Sequence, residues 1–401
     1  MKYIILVGDG MADFPLKSLN EYTPLEAAKT PNMDFIAQQG RTGLVYTIPK
    51  GMNPASDVAN LSILGYDPAR YYTGRGPLEA AYMGVKLKAD EVAFRCNLIT
   101  TYRDTMVDYS AGHITTKEAE VLISALDERL GSEQIRFYPG VSYRHLTVIK
   151  TPGGFDDLNA KCKPPHDISG QKISLNLPNG KGAESLKSLM EKSKEVLEPH
   201  EINQIRIDLA ENPANMIWLW GQGVAPNLAG FKEKFGINGS IISAVNLIKG
   251  IGYSTGLKVI EVPGATGYYD TDYLAKARFA LDSLTDLDFT FVHVEAPDEA
   301  GHNGDIKAKI TAIENFDKLV VGTILKNFKD KDNYRILVLS DHFTPLSLKT
   351  HVTDPPPFTI CGKGIAPDNS AVFSEKEAKS TSFVFKEGHT LIEYLIKESA
   401  A

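Results

Sequence analysis

Cysteine, long apolar runs and clustered positive charge are all scarce in this sequence of 401 residues. The three cysteines, Cys96, Cys162 and Cys361, include no CxxC pair, so we predict no disulfide framework, in keeping with a reducing cytoplasm. No apolar run approaches the length of a membrane span, and the short run in MKYIILVGDG lacks a signal-peptide cleavage site. The net charge is −7 with no long Lys/Arg block, so we expect a soluble cytoplasmic protein with neither a nucleic-acid nor a membrane partner.

The pattern of helices and strands predicts an α/β protein with one inserted domain. Buried-type strands alternate with amphipathic helices at both ends of the chain, as in YIILVGDG and YRILVLSDH, which favours a mostly parallel sheet flanked by helices. Between them, alternating strands precede the helices of TTKEAEVLISALDERLG and GAESLKSLMEKSKEVLE, which is typical of a smaller α+β domain. We predict a discontinuous α/β domain of residues 1–87 and 240–401 with an inserted domain of residues 88–239.

Ser56 has two interpretations from its local sequence, NPASDVANLSILGYD. A serine just before an apolar run at helical spacing is an ordinary helix N-cap. A serine hydroxyl can also be a nucleophile when a metal ion or a neighbouring base activates it. The stretch alone fits both.

Three predicted strand ends carry metal-ligand residue types. Open α/β sheets bind their ligands at the carboxyl ends of the strands, and these ends carry Asp9, then Asp298 with His302, and then Asp341 with His342 and His351. Each taken alone has a plain interpretation as a turn aspartate, a solvated i,i+4 pair or loop polarity. Together, three carboxylates and three imidazoles suit borderline divalent ions such as Mn²⁺ or Zn²⁺, and with Ser56 they suffice for two metals.

Several motifs along the full chain resemble those of one family in their order and spacing. They are GDGMAD (8–13), NPASDVANLSILGYDP (53–68), GRGPLEAA (74–81), SAGHI (110–114), YRHLTV (143–148), SAVNLIKGIG (243–252), EAPDEAGHNGD (295–305), LSDH (339–342) and THVTDPPPF (350–358). With these motifs the chain resembles the cofactor-independent (2,3-bisphosphoglycerate-independent) phosphoglycerate mutases of the archaeal-type branch. That family belongs to the alkaline phosphatase superfamily, so the resemblance implies an alkaline-phosphatase-like core.

The resemblance implies a role for each matching residue. One divalent ion would be held by Asp9, Ser56, Asp341 and His342, and a second by Asp298, His302 and His351. Mn²⁺ is the expected ion, with Mg²⁺, Zn²⁺ or Co²⁺ as alternatives, and no 2,3-bisphosphoglycerate is expected. Ser56 would carry the phosphoryl group as phosphoserine, and His113 would be the acid/base residue. The small-molecule partner would be phosphoglycerate, bound by Arg75, Arg95, Asn97, Arg144, His145 and Lys249.

Three other functions fit parts of the sequence. A homoserine kinase-like phosphotransferase of the same branch would share the metal and serine residues, although the P-loop pattern GxxxxGK[ST] does not occur. A metal-dependent phosphatase would release free phosphate, and a metal-binding member without catalysis would form no phosphoserine. Trp218 and Trp220, in IWLWG, are interpreted as packing residues of a half-buried strand.

Overall fold

A computed structural model describes residues 1–328 and 332–397 of the chain. The strands are β1 (Lys2–Gly8), β2 (Gly40–Val45), β3 (Glu91–Tyr102), β4 (Thr105–Asp108), β5 (Ile135–Val141), β6 (Arg144–Lys150), β7 (Met216–Gly223), β8 (Gly239–Ile242), β9 (Lys258–Val259), β10 (Phe289–Val294), β11 (Tyr334–Leu339), β12 (Pro357–Gly362) and β13 (Val384–Phe385).

The α-helices of the described residues alternate with these strands. They are α1 (Pro24–Ala27), α2 (Pro31–Gln38), α3 (Ser56–Ile63), α4 (Pro68–Tyr71), α5 (Arg75–Tyr82), α6 (Thr116–Leu130), α7 (Ala183–Leu197), α8 (Glu201–Asp208), α9 (Phe231–Phe235), α10 (Asn246–Thr255), α11 (Tyr273–Ser283), α12 (Ala296–Asn303), α13 (Ile306–Asn315), α14 (Gly322–Phe328), α15 (Glu375–Ser380) and α16 (Leu391–Ile396). A π-helical segment, Phe316–Val321, joins α13 to α14.

The larger compact unit comprises residues 1–72 and 227–401 and is built on an eight-stranded sheet. The strand order is β13-β2-β12-β11-β1-β10-β8-β9, and only β12 runs antiparallel to its neighbours. Ile4 to Val7 of β1 are fully buried, as expected for a central strand with helices on both faces. The predicted mostly parallel sheet flanked by helices is confirmed.

The smaller unit, residues 73–226, contains an antiparallel sheet. Its strand order is β4-β3-β6-β5, and β7 pairs with β3. The apolar side of α6, with Leu122 and Leu126, is buried in one core with Leu186 and Met190 of α7. This unit is therefore the α+β insertion that the sequence predicts.

The observed boundaries differ from the predicted ones at both ends of the insertion. Helix α5 lies in the smaller unit, where Glu79 forms an ion pair with Arg95 of β3, so residues 73–87 belong to it rather than to the larger unit. Residues 227–239 belong to the larger unit, because Lys234 donates a hydrogen bond to the carbonyl of Gly65 there. Both differences come from contacts between residues far apart in sequence, which local patterns do not contain.

Asp298 departs from its predicted place at a strand end. Strand β10 ends at Val294, and Asp298 lies in the first turn of α12. The i,i+4 spacing of Asp298 and His302 therefore puts both side chains on one face of this helix. None of the helices within the described ranges is long and apolar enough to cross a bilayer.

Candidate active site

The carboxyl edge of the larger sheet brings the predicted metal-binding residues together. Strands β11, β1 and β10 are parallel neighbours, so the residues that follow them meet at one edge. Asp9 follows β1, Asp341 and His342 follow β11 within three residues, and α12 begins two residues after β10. Gly10 has a positive φ of 56°, and a Cβ atom there would collide with Asp298 Oδ1. The GDG turn therefore requires glycine at this position.

Ser56 is not the N-cap of its helix. The N-cap of α3 is Ala55, which makes no side-chain capping bond, and Ser56 is the first helical residue. Its hydroxyl instead lies 3.1 Å from His342 Nε2. The capping interpretation is wrong by one residue, and the Ser56 hydroxyl faces the cluster of candidate ligands. The N–H groups of the first turn of α3 lie at the positive end of the helix dipole, which favours an anion there.

Asp9, Asp341 and His342, which the sequence motifs assign to one ion, are the first group of candidate ligands, and all three are buried. The ligand atoms of His342 also lie close to those of Asp298 and His351. His342 Nε2 lies 3.3 Å from Asp9 Oδ1 and 3.6 Å from Asp341 Oδ2. Asp9 Oδ1 accepts no hydrogen bond from any described residue. A buried carboxylate oxygen without a donor is costly unless a cation compensates it, so this group fits a divalent ion.

Asp298, His302 and His351 form the second group. His302 Nδ1 lies 3.0 Å from the carbonyl oxygen of Lys349, and His351 Nδ1 lies 3.4 Å from that of Pro54. A carbonyl can only accept, so each Nδ1 carries a proton, and each Nε2 is the ring nitrogen that faces Asp298. The two Nε2 atoms are 2.8 Å apart, and each lies 3.3 Å from an oxygen of Asp298. Two converging Nε2 atoms beside a carboxylate fit a metal ion, and backbone carbonyls are usual partners of ligating histidines.

The electrostatics of the two groups follow from burying several like charges together. Burial raises the pKa of Asp9 well above its usual value, and the charges of Asp341 and Asp298 raise it further. Burial also opposes ionisation of Asp298, but hydrogen bonds from His302 and His351 outweigh it and hold the pKa of Asp298 well below its usual range. The carboxyl of Asp9 therefore needs a further positive charge to ionise, and a bound divalent ion would supply that charge.

His293 is a site residue that the sequence analysis missed. It is fully buried in β10, with Nε2 3.3 Å from Asp9 Oδ2 and Nδ1 3.4 Å from Glu295 Oε1. Lys276 Nζ, also fully buried, lies 3.2 Å from Glu295 Oε2. Asn60 adds a hydrogen bond to Asp341 Oδ2 at 2.8 Å. The available signal was a histidine inside the apolar run FTFVHV, because a buried imidazole needs polar partners.

Two further contacts order the candidate ligands. The Thr344 hydroxyl donates a hydrogen bond to Asp298 Oδ1 and lies 3.2 Å from His342 Nδ1. It thereby connects a residue of each group. Asp341 Oδ1 accepts hydrogen bonds from the backbone N–H groups of Gly10 and His342 at 3.0 and 2.9 Å. Backbone N–H groups therefore supply the hydrogen bonds of Asp341 Oδ1.

In the smaller unit, the structure brings three arginines together and separates His145 from them. Arg75 and Arg144 both lie close enough to Arg95 to lower the pKa of its guanidinium, although burial is the larger cause and Glu79 opposes the shift. His145 pairs with Cys96 across β3 and β6. Because neighbours on a strand point to opposite faces, His145 lies on the opposite face from Arg95. Burial lowers the pKa of His145 to about 3, so its imidazole is neutral.

The remaining predicted residues are distributed over both units. Asn97 lies on β3 and receives a hydrogen bond from the indole N–H of Trp220 at 3.0 Å. His113 is exposed and has a positive φ of 50°, which is uncommon for a residue with a side chain. Lys249 is buried on α10 of the larger unit and forms an ion pair with Glu261.

Sequence comparison assigns the chain to a family. A model of the 2,3-bisphosphoglycerate-independent phosphoglycerate mutases matches residues 37–203. A Methanosarcina mazei protein named as such a mutase is 54% identical over 99% of this chain and 100% of its own length. The chain belongs to the 2,3-bisphosphoglycerate-independent phosphoglycerate mutases. The family that the sequence motifs indicate is therefore confirmed.

Other known proteins are also similar to this chain over nearly its whole length. A Geobacter sulfurreducens protein described as a probable mutase of this kind is 50% identical, covering 99% of this chain and all of its own. A solved structure of a Pyrococcus horikoshii protein is 32% identical with a TM-score of 0.84, over 100% of this chain and 98% of its own. A cofactor-independent phosphoglycerate mutase from Thermoplasma acidophilum is 27% identical with a TM-score of 0.66, over 98% of this chain and 99% of its own.

Proposed function

We propose that this protein interconverts 3-phosphoglycerate and 2-phosphoglycerate through a phosphoserine at Ser56. The observation that carries the proposal is the Ser56 hydroxyl, 3.1 Å from His342 Nε2 at the edge of a buried group of carboxylates and imidazoles. Family membership supports the mutase activity over a homoserine kinase-like activity and over simple phosphate release. The phosphoserine and the metal ions go beyond what family membership shows and are proposed here from the geometry of the site.

Two divalent ions would be held by the residues that the sequence motifs indicate. Asp9, Asp341, His342 and Ser56 would hold one, and Asp298, His302 and His351 the other; Mn²⁺ suits this mixture of carboxylate and imidazole. When bound, such ions lower the pKa of the serine hydroxyl and neutralise charge on the phosphoryl oxygens. His293 would support the first group by holding Asp9 from behind, with Glu295 and Lys276 fixing its ring.

The chain's own residues account for both transfers. The Ser56 hydroxyl would first lose its proton to solvent. Ser56 Oγ then attacks the phosphorus of 3-phosphoglycerate in line, the bond from phosphorus to O3 breaks, and glycerate remains bound. The N–H groups at the start of α3 stabilise the phosphoryl oxygens on Ser56. Glycerate O2 then attacks the same phosphorus, the bond to Oγ breaks, and 2-phosphoglycerate forms.

Retention of glycerate distinguishes a mutase from a phosphatase. Arg75, Arg95 and Arg144 would bind its anionic groups, since guanidinium forks match carboxylate geometry. His113 is the proposed acid/base group, which protonates the glycerate oxygen after the first transfer and deprotonates O2 before the second. Asn97, His145 and Lys249 complete the proposed substrate-binding set. His145 is buried on the opposite face of the sheet from Arg95, so the geometry does not favour its direct contact with the substrate.

Substitution of Ser56 tests the proposal directly. Ser56→Ala removes the nucleophile, so mutase turnover in a coupled assay with 3-phosphoglycerate should be lost. Intact-mass analysis after addition of substrate should show the added phosphoryl group on the unmodified protein and none on the variant. Ser62→Ala changes a buried serine of the same helix α3; it is the matched control and should retain both. Mutase activity in Ser56→Ala would refute the covalent mechanism.

The same assays separate the other functions. Steady release of inorganic phosphate in place of 2-phosphoglycerate would indicate a phosphatase. Phosphorylation of homoserine with ATP, without isomerisation of phosphoglycerate, would indicate the kinase-like activity.

A further inference from the structure

Trp220 connects several of the proposed substrate-binding residues in the smaller unit. The Arg95 guanidinium carbon lies 4.4 Å from the centroid of the indole ring, and that of Arg75 lies 5.6 Å from it. Both distances are within the range of a cation–π interaction. The indole N–H donates to Asn97 Oδ1 at 3.0 Å. One side chain therefore contacts three residues with a proposed role in binding.

The position of Trp220 in the sheet explains these contacts. Trp220 on β7 pairs with Arg95 on β3, and residues paired in this way share one face of a sheet. Asn97 is two residues beyond Arg95 and so lies on that face as well. Only 3% of Trp220 is exposed, so the ring is fixed by its surroundings.

The charge around the indole favours an anion. Glu79 Oε1 lies 3.1 Å from Arg95 Nε and compensates that guanidinium. Arg75 lies near the same indole ring, and Arg144 pairs with Asn97 across β3 and β6, so both add positive charge near Arg95. Both also lower the pKa of Arg95, beyond the larger effect of its burial. Arginines that crowd in this way repel one another unless something holds them or an anion binds. Cation–π contacts with the indole ring offset part of this repulsion for Arg95 and Arg75.

We infer that Trp220 is a positioning residue, whose indole face and N–H hold Arg95, Arg75 and Asn97 in the arrangement that binds the anionic groups of a phosphoglycerate. This inference rests on the proposed mutase function. Trp220 thus does more than pack in the sheet, because it acts on substrate affinity through its neighbours.

Trp218 provides a matched control. It lies two residues before Trp220 on the same strand and is fully buried. It pairs with Asn97 across β3 and β7, but its indole N–H donates to the carbonyl of Lys163 at 2.8 Å, and Lys163 is not among the proposed binding residues. The chain has only these two tryptophans, so each Trp→Phe variant leaves a single fluorophore of known position.

The kinetic test compares Trp220→Leu, Trp220→Phe and Trp218→Phe. Trp220→Leu loses the ring and the N–H, so the KM for 3-phosphoglycerate should rise about tenfold while kcat changes much less. Trp220→Phe retains a ring and should show a smaller rise, and Trp218→Phe should retain the original KM. Thermal melting identifies a variant that fails to fold; in that case Trp220→Phe and the fluorescence measurement decide. An unchanged KM in folded Trp220→Leu would overturn the inference.

The fluorescence test follows Trp220 in the Trp218→Phe protein. Binding of an anion at Arg95 and Arg75 changes the field at the indole, so titration with 3-phosphoglycerate should change the emission saturably. Glycerate and inorganic phosphate, titrated separately, identify which anionic group is bound. Trp220→Phe, whose fluorophore is Trp218, should not respond. No response of Trp218→Phe to any of the three anions would overturn the inference. Loss of the proposed function is a separate result, seen as absence of mutase turnover in the unsubstituted protein.

Discussion

Lys309→Met should destabilise the larger unit by about 3–5 kcal/mol, the usual cost of leaving a buried charge without its partner. Lys309 and Asp13 are both buried, and Nζ lies 2.8 Å from Asp13 Oδ2. The ammonium group also donates to the carbonyl oxygens of Thr344 at 2.9 Å and Ala12 at 3.4 Å. Its loss leaves the buried carboxylate of Asp13 without its positively charged partner. That carboxylate then retains only backbone N–H donors, such as that of Leu346 at 3.1 Å.

The double variant Asp13→Asn with Lys309→Met gives the decisive comparison. It removes both charges, so the loss should shrink to about 1–2 kcal/mol, the scale of broken hydrogen bonds. Lys397→Met is the control, because its ion pair with Glu393 is equally short but exposed, and it should cost less than about 1 kcal/mol. Urea denaturation followed by far-UV circular dichroism measures these losses. Tryptophan fluorescence reports only on the smaller unit, since both tryptophans lie there. A double variant as unstable as Lys309→Met would refute the reasoning.

Three further predictions concern charge in the larger unit. Burial raises the pKa of Glu375 from 4.5 to about 7, although Thr23 and the N–H of Asp13 donate to it. Its stabilising contribution is therefore present below pH 4.5 and lost as the pH rises through about 7. Across that window, the unfolding free energy of the protein should fall by at most about 3 kcal/mol relative to that of Glu375→Gln. Parallel pH profiles of the two proteins in urea denaturation would contradict this. Asp298→Asn should lower the number of bound Mn²⁺ ions from two towards one by elemental analysis, and Glu299→Gln should not. Chelation should remove both ions and abolish turnover reversibly, and full activity after complete chelation would contradict the metal proposal.

The sequence predicts the regular parts of this fold because each carries its own pattern. YIILVG and YRILVL are buried runs of strand length, and they form β1 and β11. The apolar spacing of α6 and α7 predicts both helices. The inserted unit could be recognised by its change of pattern, but its boundaries could not. They depend on α5 packing against strands that follow it in the chain, and such contacts leave no local signature.

Local signals near the site were accurate to within a few residues. A serine before an apolar run predicts a helix start, yet Ala55 rather than Ser56 is the N-cap. The difference matters because the N-cap side chain turns back to its own helix, whereas the first helical residue can point elsewhere. Asp298 was expected at a strand end and lies in a helix instead. The observed positions place the Ser56 hydroxyl beside His342 and the Asp298 carboxylate beside His351.

The residues that the sequence did not reveal are buried and hold other residues in place. His293 and Trp220 both lie inside strands, where alternation and burial alone indicate packing. What distinguishes them is the identity of the neighbours that strand register supplies: Asp9 and Glu295 for His293, Arg95 and Asn97 for Trp220. Thr290, a buried polar residue of the same strand as His293, instead receives a hydrogen bond from Ser240 at 2.9 Å. A polar atom in a buried strand needs a partner in every case, so a functional assignment follows only when that partner is itself a candidate for the chemistry.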